Sequence, residues 1–221
     1  MGSDPELARR FLAEELEIFG GPLFRPFPSE PTPANELENY RRSIENCHKC
    51  PLGETRTRFV FGVGNPEADL MFVGEAPGRD EDLQGEPFVG RAGKLLDKIL
   101  AAINLSRDEV YIANVLKCRP PGNRDPLPGE IEQCEPYLKH QIELIKPRLL
   151  VALGRVAART LLRVEDSLKN MRRTQYRYHD IPMVVTYHPA ALLRNPNLKR
   201  DAWEDFQRIK AFLDNGFEEL Q

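Results

Sequence analysis

The 221-residue sequence is short of several things that define common protein classes. No apolar run approaches the ~18 residues that a membrane-spanning helix needs. The start, Met1-Gly2-Ser3-Asp4-Pro5-Glu6, has neither the basic opening nor the apolar centre of a secretory signal, and Glu6 breaks the myristoylation pattern. The expectation is a soluble, cytoplasmic protein with no membrane partner. A surplus of positive charge is missing too: the net charge is −3, so there is no uniformly basic coat. No G-x-G-x-x-G follows an apolar strand, and dinucleotide binding therefore has no support. Gly90-Arg91-Ala92-Gly93-Lys94 comes near a phosphate loop but fails it. Phe88 stands where the first glycine belongs, and Leu95 where Ser or Thr belongs. Cysteine is scarce as well, at four residues.

What is present is unevenly spread. Residues 1–45 hold nine acids against five bases, whereas residues 163–200 hold eight bases against three acids. The second imbalance fits either a face that meets a phosphate backbone or an ordinary solvated surface. Leu7 to Phe19 has apolar residues at helical spacing, and Gly20 to Pro33 contains five prolines, the mark of an extended linker. Residues 1–34 are thus expected to be a helix-and-linker extension, and 35–221 an α/β domain. In that domain four apolar runs read as buried strands: Leu70–Val73, Val110–Asn114, Leu149–Leu153 and Met183–Tyr187. Helical patterns over 91–103, 129–145 and 154–163 separate them, and a last helix over 199–214 aligns Trp203, Phe206, Ile209 and Phe212. Such alternation predicts a parallel sheet with helices on both faces.

Each strand ends in chemically pointed residues: Gly74-Glu75, Asn114 with Lys117-Cys118-Arg119, Gly154-Arg155, and Tyr187-His188-Pro189. A parallel sheet brings these ends to one edge. The longest connection, Gly74 to Gly93, holds five glycines, two prolines and the charges Arg79-Asp80-Glu81-Asp82. Connections of this kind usually run about 2–6 residues, so this one is a candidate site. Phe88 within it suits either a small satellite core or a platform for a planar ligand. Asn114, in an apolar strand, either bonds backbone or reads one edge of a nucleobase. His188 is either structural or a donor to a leaving anion.

Cys47 and Cys50 form C-x-x-C, with Cys118 and Cys134 dispersed behind them. A cytosolic setting disfavours disulfides. Zinc usually takes two close pairs, whereas one close pair with two dispersed cysteines suits an iron–sulfur cluster better. Four unrelated buried cysteines are the plain alternative. His48, between two ligand candidates, is left out.

These features together resemble the family 4 uracil-DNA glycosylases. The resemblance rests on Cys47-x-x-Cys50, Gly74-Glu75-Ala76-Pro77-Gly78, Gly85-x-Pro87-Phe88-Val89-Gly90, Ile112-Ala113-Asn114-Val115, Cys118-Arg119-Pro120-Pro121-Gly122-Asn123-Arg124, Cys134 and His188-Pro189-Ala190-Ala191-Leu192-Leu193-Arg194. It implies a three-layer α/β/α fold around a central four-stranded parallel sheet, and a [4Fe-4S] cluster on Cys47, Cys50, Cys118 and Cys134. It implies a monomer that flips uracil out of single- and double-stranded DNA, hydrolyses its bond to deoxyribose and leaves an abasic site. Gly74, Glu75, Ala76, Phe88, Asn114 and His188 would bind uracil. Glu75 and His188 would carry the chemistry, with Asn123 or Glu81 as further water-positioning candidates. Leu192 or Leu193 would wedge into the DNA, and Arg194 would meet phosphate. In a cross-linking type of the broader superfamily a His attacks the sugar; the corresponding stretch Arg119–Pro126 has no His, so no covalent DNA adduct is expected. With no helix-hairpin-helix lysine pattern, no lyase activity is expected either. Two other classes compete: a non-catalytic metal protein that binds nucleic acid, and a nucleotide hydrolase with a metal on Asp80-Glu81-Asp82.

Overall fold

The computed structural model describes residues 32–215 and, before them, Glu6, Arg9, Arg10, Ala13 and Glu14. Those five are exposed and helical where assigned, and Arg10 pairs with Glu14 at 3.4 Å. The remainder of the helix expected over 7–19, and the linker up to residue 31, lie outside the described residues. The chain divides into two units, 1–32 and 33–221. The sheet, the cysteines and the cleft described below all belong to the second.

The sheet has six strands. Its centre is the expected parallel set: β2 (Leu70–Gly74), β3 (Tyr111–Asn114), β4 (Leu149–Leu153) and β6 (Ile181–Thr186), in the spatial order β3-β2-β4-β6. Two short antiparallel strands were not foreseen. β1 (Val63–Gly64) edges β3, and β5 (Tyr176–Tyr178) edges β6. β5 and β6 join through His179-Asp180, both with positive φ (44° and 66°), which is what a two-residue hairpin with matching twist requires. The run Tyr176–Tyr178 is too short and too polar to announce itself by periodicity.

Strand residues alternate between two cores. Met71, Val73 and Ala113 pack with α5 (Pro128–Ile145) and α6 (Arg155–Leu162) through Leu138, Ile142, Ala157 and Leu161. Leu70, Phe72, Ile112 and Val151 pack with α4 (Arg91–Ala102) and α9 (Lys199–Asp214) through Leu96, Leu100, Phe206 and Ile209. Helices therefore cover both faces, and α1 (Pro33–Ile44), α2 (Leu52–Thr55) and α7 (Leu168–Met171) add Leu37, Leu52 and Met171 to the first core. Trp203 departs from the expected stripe and is 39% exposed: the buried arc runs through Ala202, Asp205, Phe206, Ile209 and Phe212, and Trp203 falls beyond its rim. Asp205 receives Arg172 Nε at 2.7 Å, Arg172 Nη2 at 3.0 Å and the Thr186 hydroxyl at 2.6 Å. The Arg172 guanidinium also lies over the Tyr187 ring at 4.4 Å. This network anchors the end of β6 at Thr186, two residues before His188.

The chain turns from β3 on one side of β2 to β4 on the other. Sheets of this type bind ligands in the crevice at that reversal, beyond the strands' C-terminal ends. The register Gly74↔Asn114, Val73↔Ala152 and Leu153↔Thr186 brings those ends level. Among the described residues no helix is long and apolar enough to cross a membrane.

Candidate active site

A cleft of about 500 Å³ opens at this edge. Glu75 and Ala76 after β2, Asn114 at the end of β3, Gly154 after β4 and His188 after β6 line it, with Phe88 entering from the long connection. That connection is not a continuous loop. It contains α3 (Arg79–Gln84), closed by Gly85 at φ 82°. Asp82 is buried and accepts from the backbone and hydroxyl of Thr57, each at 2.8 Å. Glu81 accepts from the amides of Val89 and Gly90 at 3.0 Å. Two of the three acids, Glu81 and Asp82, thus shape the loop.

Phe88 is 5% exposed, and its ring lies 5.3 Å from that of His188 at an angle of 30°. Asn114 is 2% exposed, and its Oδ1 has no hydrogen-bond partner. A buried amide oxygen without a partner is costly and calls for a ligand donor. Gly74 makes this possible: a Cβ there would stand 2.3 Å from Asn114 Oδ1 and 2.7 Å from the Phe88 ring.

His188 caps α8 (Pro189–Arg194), its Nδ1 accepting the Ala190 amide proton at 3.1 Å. Burial, helped by Arg194, pushes its pKa down to about 4. The ring is therefore neutral at pH 7, and because Nδ1 accepts, its one proton sits on Nε2. The Glu75 carboxyl moves the other way. Burial, with Asp125 adding to it, raises its pKa to about 7 against the opposing pull of Arg155 and Arg194. Nothing in the sequence linked Asp125 to Glu75, fifty positions away; the turn Pro121–Asn123 brings it to the same cleft.

Asn123 lines the cleft but is exposed, with φ 55°, and its Oδ1 already accepts from Arg119 Nε at 2.7 Å. The segment after His188 is a helix rather than a loop. Leu192, 1% exposed, is packed inside and is not available as a wedge; Leu193, 39% exposed, faces solvent. Arg194 lines the cleft. The basic stretch is partly spent on structure, since Arg163 pairs with Glu135 and Arg172 is buried against Asp205.

All four cysteines pack on one core, Cys118 and Cys134 buried, Cys47 and Cys50 half-buried. Burial pushes Cys118 up to about 11, with Cys50 and Cys47 adding. Burial likewise pushes Cys134 to about 12, with Cys118 and Cys50 adding. Cys118 and Cys134 each lie close enough to others of the set to feel their charge. Their donors are Tyr137 Oη (3.1 Å) and the Lys49 amide (3.4 Å) to Cys47, Arg56 to Cys118 (3.5 Å) and the Lys117 amide to Cys134 (3.2 Å). Among the described residues no three His, Cys, Asp or Glu side chains group as the ligands of a single ion. His48 turns to Glu54 at 2.8 Å. Lys117, fully buried, also donates to the Asn114 carbonyl at 2.9 Å, a link between the cysteines and the cleft that sequence reading missed.

An α/β sheet with such a cleft at its switch point places the chain in a class: residues 61–207 match the model of the uracil DNA glycosylase superfamily. A type-4 uracil-DNA glycosylase of Archaeoglobus fulgidus is 48% identical over 181 residues, 78% of this chain and 91% of that protein. One from Sulfurisphaera tokodaii is 44% identical over 80% of this chain and 84% of that protein. A type-5 enzyme from Pyrobaculum aerophilum is 31% identical over 60% of this chain and 72% of that protein. The chain belongs to the type-4 uracil-DNA glycosylases of that superfamily.

Proposed function

We propose that this protein removes uracil from single- and double-stranded DNA by hydrolysis and leaves an abasic site, the first step of base excision repair. The observation that carries the reading is the unpartnered, buried Oδ1 of Asn114 in the cleft that Phe88 and His188 also line. Uracil flipped from the stack fills this need. Its N3–H donates to Oδ1 while its O4 accepts from the Asn114 amide. Cytosine presents an acceptor at N3 and a donor at C4, so it fails both bonds. Phe88 stacks on the base, and Gly74 and Ala76 bring backbone beside it.

As the C–N bond breaks, negative charge gathers on uracil and positive charge on the sugar. His188 Nε2–H donates to uracil O2 and stabilises the anion without giving up its proton. Glu75, when ionised, faces the cationic sugar and orients water toward it. Asn123 holds a secondary place, since its acceptor is occupied by Arg119. Leu193 supplies the wedge and Arg194 a phosphate contact.

The four cysteines fit a [4Fe-4S] cluster by donor chemistry. They are thiols, and N–H and O–H donors already point at the sulfurs of Cys47, Cys118 and Cys134, the kind of outer bonding that supports a cluster's ligands. Bound, it would tie the segments around residues 47–50, 118 and 134 into one unit. The pure protein should be brown, absorbing near ~400 nm. Cys118→Ser should bleach it and lower its melting temperature; a colourless protein holding stoichiometric zinc would refute the cluster.

The direct test uses uracil-containing single- and double-stranded oligonucleotides in EDTA, followed by alkali. Cleavage at uracil, with none at cytosine, is expected. Absence of cleavage would remove the reading, and cleavage only with added metal would favour a nucleotide hydrolase. A band surviving denaturing electrophoresis as a protein–DNA adduct, or strand scission before alkali, would contradict simple hydrolysis.

A further inference from the structure

Phe88 has φ 55°, in the left-handed region that a bulky side chain seldom adopts. What keeps it there is visible on both sides of the residue. Arg107, in the turn after α4, donates through Nη2 to the Pro87 carbonyl at 2.8 Å and through Nη1 to the Phe88 carbonyl at 3.0 Å. Its Nη1 also meets Asp97 Oδ1 at 3.0 Å, which fixes the plane of the guanidinium. From the opposite side Glu81 Oε1 takes the amide protons of Val89 and Gly90. The Pro87 and Phe88 carbonyls and the Val89 and Gly90 amides, spanning the peptides on both sides of the Phe88 Cα, are thus held by opposite fixed charges. Beneath them Gly93 lets the loop lie against α4, since a Cβ there would fall 1.7 Å from the Phe88 carbonyl oxygen.

Arg107 does not line the cleft, and its side chain is 25% exposed. Its bonds go to the backbone of the aromatic platform and to its own orienting carboxylate. We infer that Arg107 is a positioning residue that sets the Phe88 ring at its stacking distance in the uracil site, with Glu81 as the opposing jaw rather than a water-activating acid. The inference rests on the uracil-binding reading of the cleft. The planar fork matters: one guanidinium reaches two adjacent carbonyls and Asp97 at once, whereas a lysine ammonium is a single point donor on a flexible stem.

The test is a double-mutant cycle read by single-turnover uracil release. In parallel, affinity is measured for an oligonucleotide carrying a tetrahydrofuran abasic analogue, which offers no base to stack. Arg107→Gln should slow release about 10- to 100-fold, the scale of a displaced contact group, and leave the abasic-analogue affinity unchanged. Arg107→Lys should recover part of the rate. In a Phe88→Ala background Arg107→Gln should add nothing, because the residue acts only through the ring. Asp97→Asn, a milder change, should show a smaller loss with the same pattern if Arg107→Gln folds poorly. Full additivity with Phe88→Ala, equal loss of abasic-analogue affinity, or a wild-type rate in Arg107→Gln would overturn the inference. A wild-type rate in Phe88→Ala itself would instead sink the stacking reading on which it stands. Glu81→Gln should likewise be silent over Phe88→Ala; an additive loss with an altered pH profile would return Glu81 to the chemistry.

Discussion

Replacing His188 with alanine should lower the rate of uracil release about 10²–10³-fold, a loss of about 2.7–4 kcal/mol of transition-state stabilisation. The size follows from the site. The imidazole is half-buried on the cleft wall, where a hydrogen bond to developing charge is worth more than in open water. It is also preorganised, because capping α8 through Nδ1 fixes both the tautomer and the ring plane before substrate arrives. With a pKa near 4 it remains neutral throughout the working range. Its contribution should therefore be flat with pH above about 5, in contrast to a general acid, which would fade above its pKa. Single-turnover rates for His188→Ala and wild type, measured from pH 6 to 9, check this. A ratio that shrinks steadily as pH rises would mean that His188 delivers a proton.

Glu75→Gln should have an effect of comparable size, about 10²–10⁴-fold, as for a lost general base, with a different signature. The carboxyl has a pKa near 7, so its ionised form grows in as pH rises through neutrality. Wild-type activity should climb between about pH 6 and 8 and then level off. The glutamine variant should be slow and flat over the same range. Stability should move in the opposite sense. A carboxyl whose pKa is raised by folding favours the folded state below its unfolded value, near 4.5, and that advantage disappears as pH rises through about 7. Glu75→Gln should therefore melt higher than wild type at pH 8 and like it near pH 5. The gain should be modest, because the side chain is partly open to solvent and screened. An inactive variant that is also less stable at pH 8 would mean that Glu75 is a structural acid. A wild-type profile that falls from pH 6 to 8 would assign catalysis to the protonated form.

Much of the frame is legible along the chain because it depends on local pattern. The four central strands are apolar on both faces, and a sequence buried on both sides reads as a continuous run. The helices over 91–102, 128–145 and 199–214 carry their own periodicity. Other features are not local. α3 is six residues long and charged, so only its closing glycine and the Glu81 and Asp82 bonds to distant backbone reveal it. Leu192 and Leu193 are indistinguishable in sequence, and only the turn of α8 sends one inward. Trp203 reads as core by spacing and is exposed, whereas Asp205 reads as surface and is buried because Arg172, from another segment, pairs with it.

By itself the sequence determined the parallel α/β class, the convergence of Glu75, Asn114 and His188 on one sheet edge, and the family, through spacings that chain connectivity preserves. The state each residue holds there comes from its neighbours in space. Burial and through-space charge set Glu75 near 7 and His188 near 4, Gly74 left the Asn114 oxygen room and no partner, and Arg107 fixed the pose of Phe88. Protonation, desolvation and backbone strain depend on neighbours in space, and neighbours fifty residues apart have no expression in a local pattern.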